Sequence, residues 1–250
     1  MNVTTTPVWL NRPLPGVQVH TIAASDFNQA MAQDTAQRLR DAISAQGRAV
    51  LCVSGGKSPI TFFEALRTQA LDWSKVHITL ADERCVDAEH AASNARLVKT
   101  HLLQGLAQSA QWTGLVPEPL MRATPTQWAA LASKCIAKIG AADVLVLGMG
   151  EDGHTASLFP SATNLLQALD MQQPDACLSV ELTSLPANAP YPRITQTLSQ
   201  LLKARHIVLP ITSKDKHPVL AKAWMVRSTA LPISYVLHQL QSPVHVWISE

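Results

Sequence analysis

Apolar runs of only a few residues alternate along this chain with longer amphipathic stretches, and that alternation restricts the fold more than any other feature. "RAVLCV", "KVHITLADE", "DVLVLG", "ACLSVEL", "HIVLPIT" and "VHVWIS" are rich in β-branched residues and leucine, as strands buried on both faces are. Between them, "SDFNQAMAQDTAQRLRDAISAQG", "ITFFEALRTQA", "NARLVKTHLL", "TQWAALASKCIAKIG" and "DKHPVLAKAWM" read as helices. Parallel strands need crossover connections, usually helical. The sequence therefore predicts an α/β chain: a single three-layer α/β/α domain over residues 1–250, Rossmann-like, with a largely parallel sheet. Local punctuation agrees. Ser25 suits the N-cap of the first helix and Gly47 its stop, Pro59 suits a first helical position, and Thr124 with Pro125 opens a further helix. No internal repeat or low-complexity linker divides the chain, and the proline-rich "PANAPYP" at 186–192 reads as a mobile loop rather than a boundary.

Composition removes several classes of function. A length of 250 residues with 47% hydrophobic residues supports a sizeable core. The formal net charge is only +2, and the densest basic stretches, "LLKARH" and "SKDKHP", are short and hold no aromatic residue. Nucleic acid needs a basic face, so it is not an expected partner. No stretch approaches the ~18 apolar residues that span a bilayer, and the N-terminus lacks the basic head and apolar core of a signal peptide. A cytoplasmic location is expected, with no membrane partner and a monomer or small homo-oligomer. Cys52, Cys85, Cys135 and Cys177 stand far apart without a C-x-x-C pair, which reads as reduced thiols. No spacing of histidines and cysteines suits a metal site.

In a doubly wound sheet, ligands sit outside the carboxyl ends of the strands, so three loops matter most. "SGGKSP" offers Gly55 and Gly56 for close approach and a helix start near Pro59, a combination that attracts an anion, most plausibly phosphate. It is not a Walker loop, because Leu51 stands where the first glycine belongs. "ADER" places Asp82, Glu83 and Arg84 at a strand end, either as solvated charges or as part of a site. Arg84 suits a bidentate phosphate contact and Asp82 suits sugar hydroxyls.

"GMGEDGHTASLFP" has Gly148, Gly150 and Gly153 at the spacing of a dinucleotide turn. Such a turn must lead into a full helix and then a strand ending in an acidic residue. Here Pro160 follows Gly153 by seven residues, and no clear strand ends at Asp170 or Asp175, so no nicotinamide cofactor is expected. What remains is His154, suited to proton transfer near neutral pH, with Asp152 two residues away, placed either to fix its tautomer or to contact substrate.

At these residues the chain resembles the 6-phosphogluconolactonase family, relatives of the glucosamine-6-phosphate deaminases. That family's patterns run close to S-G-G-[ST]-[ST]-P, D-E-R and G-x-G-x-D-G-H-T-A-S-L-F-P, and "SGGKSP", "ADER" and "GMGEDGHTASLFP" follow them in order. "PRIT" with Arg193 and "TSKDK" with Lys216 match two later segments, and the likeness runs from about residue 49 to the C-terminus. The resemblance implies a sugar-phosphate isomerase/CoA-transferase-like α/β fold and hydrolysis of 6-phospho-D-glucono-1,5-lactone to 6-phosphogluconate, in the oxidative pentose phosphate pathway, without cofactor or metal. It implies phosphate binding by Gly55, Gly56 and Ser58, with Arg84, Arg193 and Lys216 adding positive charge around the phosphate or the sugar acid. Asp82 would hold substrate hydroxyls, and His154 would be the general base with Asp152 beside it. Two positions depart from the pattern: Lys57 replaces a small hydroxyl residue and Ser213 replaces a glycine. The deaminases carry a proton-transferring glutamate where this chain has Phe159, which disfavours a deaminase or isomerase reaction. Sugar-phosphate sensors of this fold type carry a DNA-binding helix-turn-helix, for which this chain has no spare segment.

Overall fold

The computed structural model describes residues 9, 12–56, 58–183 and 190–250. Lys57, and residues 186–189 of the proline-rich stretch, lie outside that set.

Seven parallel strands form the central sheet: β1 (Val17–Ile22), β2 (Ala49–Val53), β3 (Val76–Leu80), and, after a short β4 (Asp82–Arg84) that belongs elsewhere, β5 (Gln111–Trp112) and β6 (Val144–Val146). β7 (Cys177–Ser179) and β8 (Arg193–Gln196) join β4, and β9 (His206–Ile211) and β10 (Val244–Ser249) complete the central sheet. Its order is β1-β10-β9-β6-β2-β3-β5. A second, antiparallel sheet has the order β4-β8-β7. From β2 the chain winds outward through β3 to β5, then returns to β6 on the other side of β2 and winds through β9 to β10. The crevice at the carboxyl ends of β2 and β6 is thus the switch point where such sheets bind ligands.

Eight α-helices accompany the strands among the described residues: α1 (Phe27–Gln46), α2 (Ile60–Leu66), α3 (Asn94–His101), α4 (Pro125–Ile139), α5 (Leu165–Ala168), α6 (Leu198–Leu201), α7 (His217–Met225) and α8 (Ile233–Leu237). Val144 and Val146 of β6 pack into one apolar cluster with Phe27, Met31 and Leu39 of α1, while Leu145 and Leu147 pack into another with Leu220, Trp224 and Val236. Side chains alternate across a strand, so both faces of β6 are covered, which is why it reads as an unbroken apolar run. None of these helices is long and apolar enough to cross a membrane.

Most local signals hold, and the exceptions have physical reasons. Gly47 ends α1 at φ +79°, donating its N–H to Ile43 C=O. Thr124 and Gln127 form a reciprocal capping box with Pro125 as the first residue of α4. At the start of α1, however, Asp26 and not Ser25 is the boundary residue, and its side chain makes no capping bond. The run "KVHITLADE" is not one strand. Ala81 N–H still donates to Val53 C=O in the central sheet, while Ala81 C=O accepts from Gln196 N–H in the second sheet. The chain changes sheets at that residue, and because both halves are buried the hydrophobic pattern does not register the change.

Candidate active site

The glycine loop after β2 is shaped by its neighbours. Ser54 N–H donates to Val146 C=O at 2.9 Å, tying the end of β2 to β6. A Cβ on Gly55 would run into the Asn94 side chain, and Gly56 adopts φ +97°, a conformation other residues rarely take. Ser58 and Pro59 turn the chain into α2.

The three charged residues after β3 separate by position. Asp82 and Arg84 line the cleft, whereas Glu83 is 2% exposed and turns into the first turn of α3. There its carboxylate accepts from Asn94 N–H (2.8 Å), Ala95 N–H (2.7 Å), Ser93 Oγ (3.3 Å) and Arg84 N–H (2.6 Å). Burial pushes the Glu83 carboxyl up to about 7, against those hydrogen bonds, which favour the charged form. Asp82 Oδ2 accepts from Ser157 Oγ at 2.6 Å. Arg84 Nη1 donates to Ala92 C=O at 2.7 Å, which fixes the guanidinium. Directly opposite Arg84 in the β4–β8 ladder is Arg193, whose guanidinium lies 5.2 Å from the Phe159 ring centroid. Burial and then the Arg84 charge lower the Arg193 pKa, with Asp82 and Glu83 acting the other way.

His154 stands on a turn built from backbone constraints. Its Nδ1 lies 2.5 Å from Asp152 Oδ1, which also accepts from His154 N–H at 3.1 Å. Burial opposes the Asp152 charge, but the hydrogen bonds from the His154 ring and backbone outweigh it and hold this carboxyl below its ordinary range. An ionised Asp152 selects the tautomer with hydrogen on Nδ1, leaving the Nε2 lone pair for a proton. A Cβ on Gly150 would collide with the His154 ring, Gly153 has φ +77°, and Ala156 has φ +48°. Thr155 Oγ1 donates to Gly148 C=O at 2.8 Å, closing the turn. On the other side, the His154 ring lies 4.5 Å from the Phe159 ring.

Lys216 enters from the end of a short 3₁₀ turn, Lys214–Lys216, that leads into α7. Burial lowers its pKa, and the nearby Glu151 carboxylate opposes that shift. Ser213 has extended backbone, φ −125°, and its Oγ accepts from Asp215 N–H, so this position needs no glycine.

These groups meet in one cleft of about 210 Å³. Gly55, Gly56, Ser58, Asp82, Arg84, His154, Arg193 and Lys216 all line it, and Asp152 stands behind His154. The sequence reading missed Asn28 and Met31, which bring α1 into the wall, and Asn94 and Thr212. A search confined to loops at strand ends passes over α1. Asn94, by contrast, follows the N-cap serine of α3, a recognisable position. Among the described residues, no three His, Cys, Asp or Glu side chains are grouped to hold a metal ion.

The chain matches the family described as glucosamine-6-phosphate isomerases/6-phosphogluconolactonase over residues 23–247. It is 42% identical over 225 residues to a 6-phosphogluconolactonase of Pseudomonas putida, covering 89% of this chain and 90% of that protein. A 6-phosphogluconolactonase of Rhizobium meliloti is 43% identical over 227 residues, covering 89% of this chain and 94% of its own. The crystal structure of a 6-phosphogluconolactonase from Shewanella baltica superposes with a TM-score of 0.86 at 38% identity, covering 94% of this chain and 98% of that one.

Proposed function

The chain belongs to the family of glucosamine-6-phosphate isomerases and 6-phosphogluconolactonases, and on that footing we propose that it hydrolyses 6-phospho-D-glucono-1,5-lactone to 6-phosphogluconate, in the pentose phosphate pathway, by His154-assisted attack of water. The observation that carries the mechanism is the Asp152–His154 pair, 2.5 Å apart, on the wall of a cleft also lined by Arg84, Arg193 and Lys216. His154 Nε2 takes a proton from water as the water oxygen bonds to the lactone carbonyl carbon. The tetrahedral intermediate then expels the ring oxygen, which receives the same proton from the imidazolium. General acid–base help of this kind contributes about 10²–10⁴-fold. Gly55, Gly56 and Ser58 cradle the phosphate, Arg84, Arg193 and Lys216 supply the countercharge, and Asp82 accepts from substrate hydroxyls. Anchoring a remote phosphate converts binding energy into orientation of the carbonyl beside His154. Phe159, packed between His154 and Arg193, neither gives nor takes a proton, which leaves the isomerase chemistry of this family without one of its groups. The same proposal places the enzyme in the cytoplasm as a single catalytic domain.

The deciding measurement is hydrolysis of freshly generated 6-phosphogluconolactone, corrected for spontaneous opening, by wild type and His154→Ala with and without chelator. Chelator-resistant acceleration that disappears in the variant is expected. Wild-type turnover no faster than the spontaneous reaction removes the lactonase reading, and full activity in the variant removes the general base.

A further inference from the structure

Glu83 sits between two groups that line the cleft, Asp82 and Arg84, yet contributes nothing to the cleft itself. Its two carboxylate oxygens are instead spent on Arg84 N–H and on the first turn of α3. What α3 does with that attachment is the informative part. Asn94 Nδ2 donates to the Asp82 carbonyl at 2.9 Å, and the Asn94 side chain occupies the space a Cβ on Gly55 would need. Just before α3, Ala92 C=O accepts from Arg84 Nη1 at 2.7 Å. One short segment, residues 92–95, therefore touches the phosphate loop, the backbone of Asp82 and the guanidinium of Arg84, and it is held to β4 through Glu83.

We propose that Glu83 is a positioning residue of the anion site: by pinning the first turn of α3 to β4 it sets the Arg84 guanidinium and the Gly55 loop at the spacing a phosphate requires. The proposal rests on the lactonase reading for its substrate, but not for the anion. A helix N-terminus accepts a carboxylate readily, through unpaired N–H groups and the helix dipole. An exposed carboxylate from the helix's own first turn commonly does that work. Here the carboxylate comes from a strand, is buried, and also holds the backbone of the arginine that faces the ligand. Ser93 already caps α3 through its own Oγ, which accepts from Arg96 N–H at 3.1 Å, so the helix does not need Glu83 merely to begin.

The test compares Glu83→Ala with Glu83→Gln, which keeps one acceptor oxygen in place. Two quantities are read: KM and kcat for the lactone, and the rise in Tm caused by inorganic phosphate, which needs no turnover. Glu83→Ala is expected to raise KM about tenfold, a change of about 1.4 kcal/mol, with kcat within about threefold, and to weaken the phosphate-induced Tm rise. Glu83→Gln should recover only part of both effects, because one acceptor oxygen remains of two and its amide NH2 meets a backbone N–H at the other position. In an Arg84→Ala background the Glu83→Ala effect on KM should largely vanish, because contacting residues acting through one another are not additive. A lower Tm with unchanged KM and unchanged phosphate response, or full additivity with Arg84→Ala, overturns the proposal. Should Glu83→Ala not fold, Glu83→Asp draws the carboxylate back from α3 by one methylene, and a KM and phosphate response equal to wild type would likewise overturn it. If wild type binds phosphate but does not hydrolyse the lactone, the lactonase reading fails while the phosphate response still tests Glu83.

Discussion

Arg193 stands directly opposite Arg84 across the β8–β4 ladder, two guanidinium groups in register on the wall of one cleft. Like charges placed directly opposite on a ladder destabilise it. Two arginines so placed favour an anion between or beside them, and Asp82 and Glu83 act on Arg193 in the sense opposite to Arg84. Arg193→Leu is therefore expected to raise KM for the lactone about 10–100-fold, as the loss of a charge-assisted hydrogen bond of about 1.5–3 kcal/mol implies. Steady-state kinetics and phosphate protection of Tm check it, and an unchanged KM would separate Arg193 from the substrate.

In the proposed mechanism Asp152 acts on the reaction through His154, which it bonds at ring and backbone. Asp152→Asn keeps the shape but loses the charge that selects the Nδ1–H tautomer and steadies the imidazolium. A fall in kcat of about 10²-fold with KM near wild type is expected. The sign of its pH dependence follows from the lowered folded-state pKa. The support this carboxylate gives to folding is present above its ordinary, unfolded pKa and is lost only as pH falls through the lower folded value. An Asp152 carboxyl that titrates at or above the ordinary aspartate value, followed by carboxyl NMR, would contradict that assignment.

Gly150 is required by the space the His154 ring occupies. The Cβ of Gly150→Ala would meet that ring, and it approaches Asp152 Oδ1 as well. The imidazole must turn out of its position, so kcat should fall more than about tenfold while phosphate protection of Tm stays as in wild type. Loss of both together would point to a collapsed cleft rather than a displaced base.

Away from the cleft, His245 sets an acid limit on the fold. It is 3% exposed, with Nδ1 3.3 Å from His20 Nε2 and 3.5 Å from Arg38 Nη2. Arg38 also reaches His206 Nδ1 at 2.9 Å and is paired with Asp34 at 2.8 Å. Burial first, then the Arg38 charge, depress the His245 pKa from 6.5 to about 4, and burial lowers His20 and His206 as well. An unfolded chain thus takes up this proton at a higher pH than the folded one. The His245 contribution to stability is complete above about pH 6.5 and is lost progressively as pH falls towards 4. His245→Gln should flatten the stability curve across that window in acid titrations followed by circular dichroism. An identical slope for variant and wild type would rule His245 out as the source.

How much of this was legible in the chain depends on the distance over which each feature is written. The α/β alternation, the stop at Gly47, the capping box at Thr124, and the glycine, histidine and arginine motifs are local patterns. Strand burial, helix capping and positive φ leave their mark on a residue and its immediate neighbours, so the sequence by itself determined the class of fold and the chemical groups of the site. The tertiary structure decided how those groups are arranged. Nothing around Ala81 shows that one apolar run serves two sheets, because both halves are buried alike. Nothing near Arg84 shows that Arg193 will lie across from it, nor that Glu83 will turn away from the cleft to hold α3. The wall made by Asn28 and Met31 is equally hidden, since a helix face acquires a ligand-facing role only when the sheet sets it beside the switch point. Pairing register and helix docking are fixed by cooperative burial between distant segments, and an energy shared among distant segments leaves no mark on any one of them.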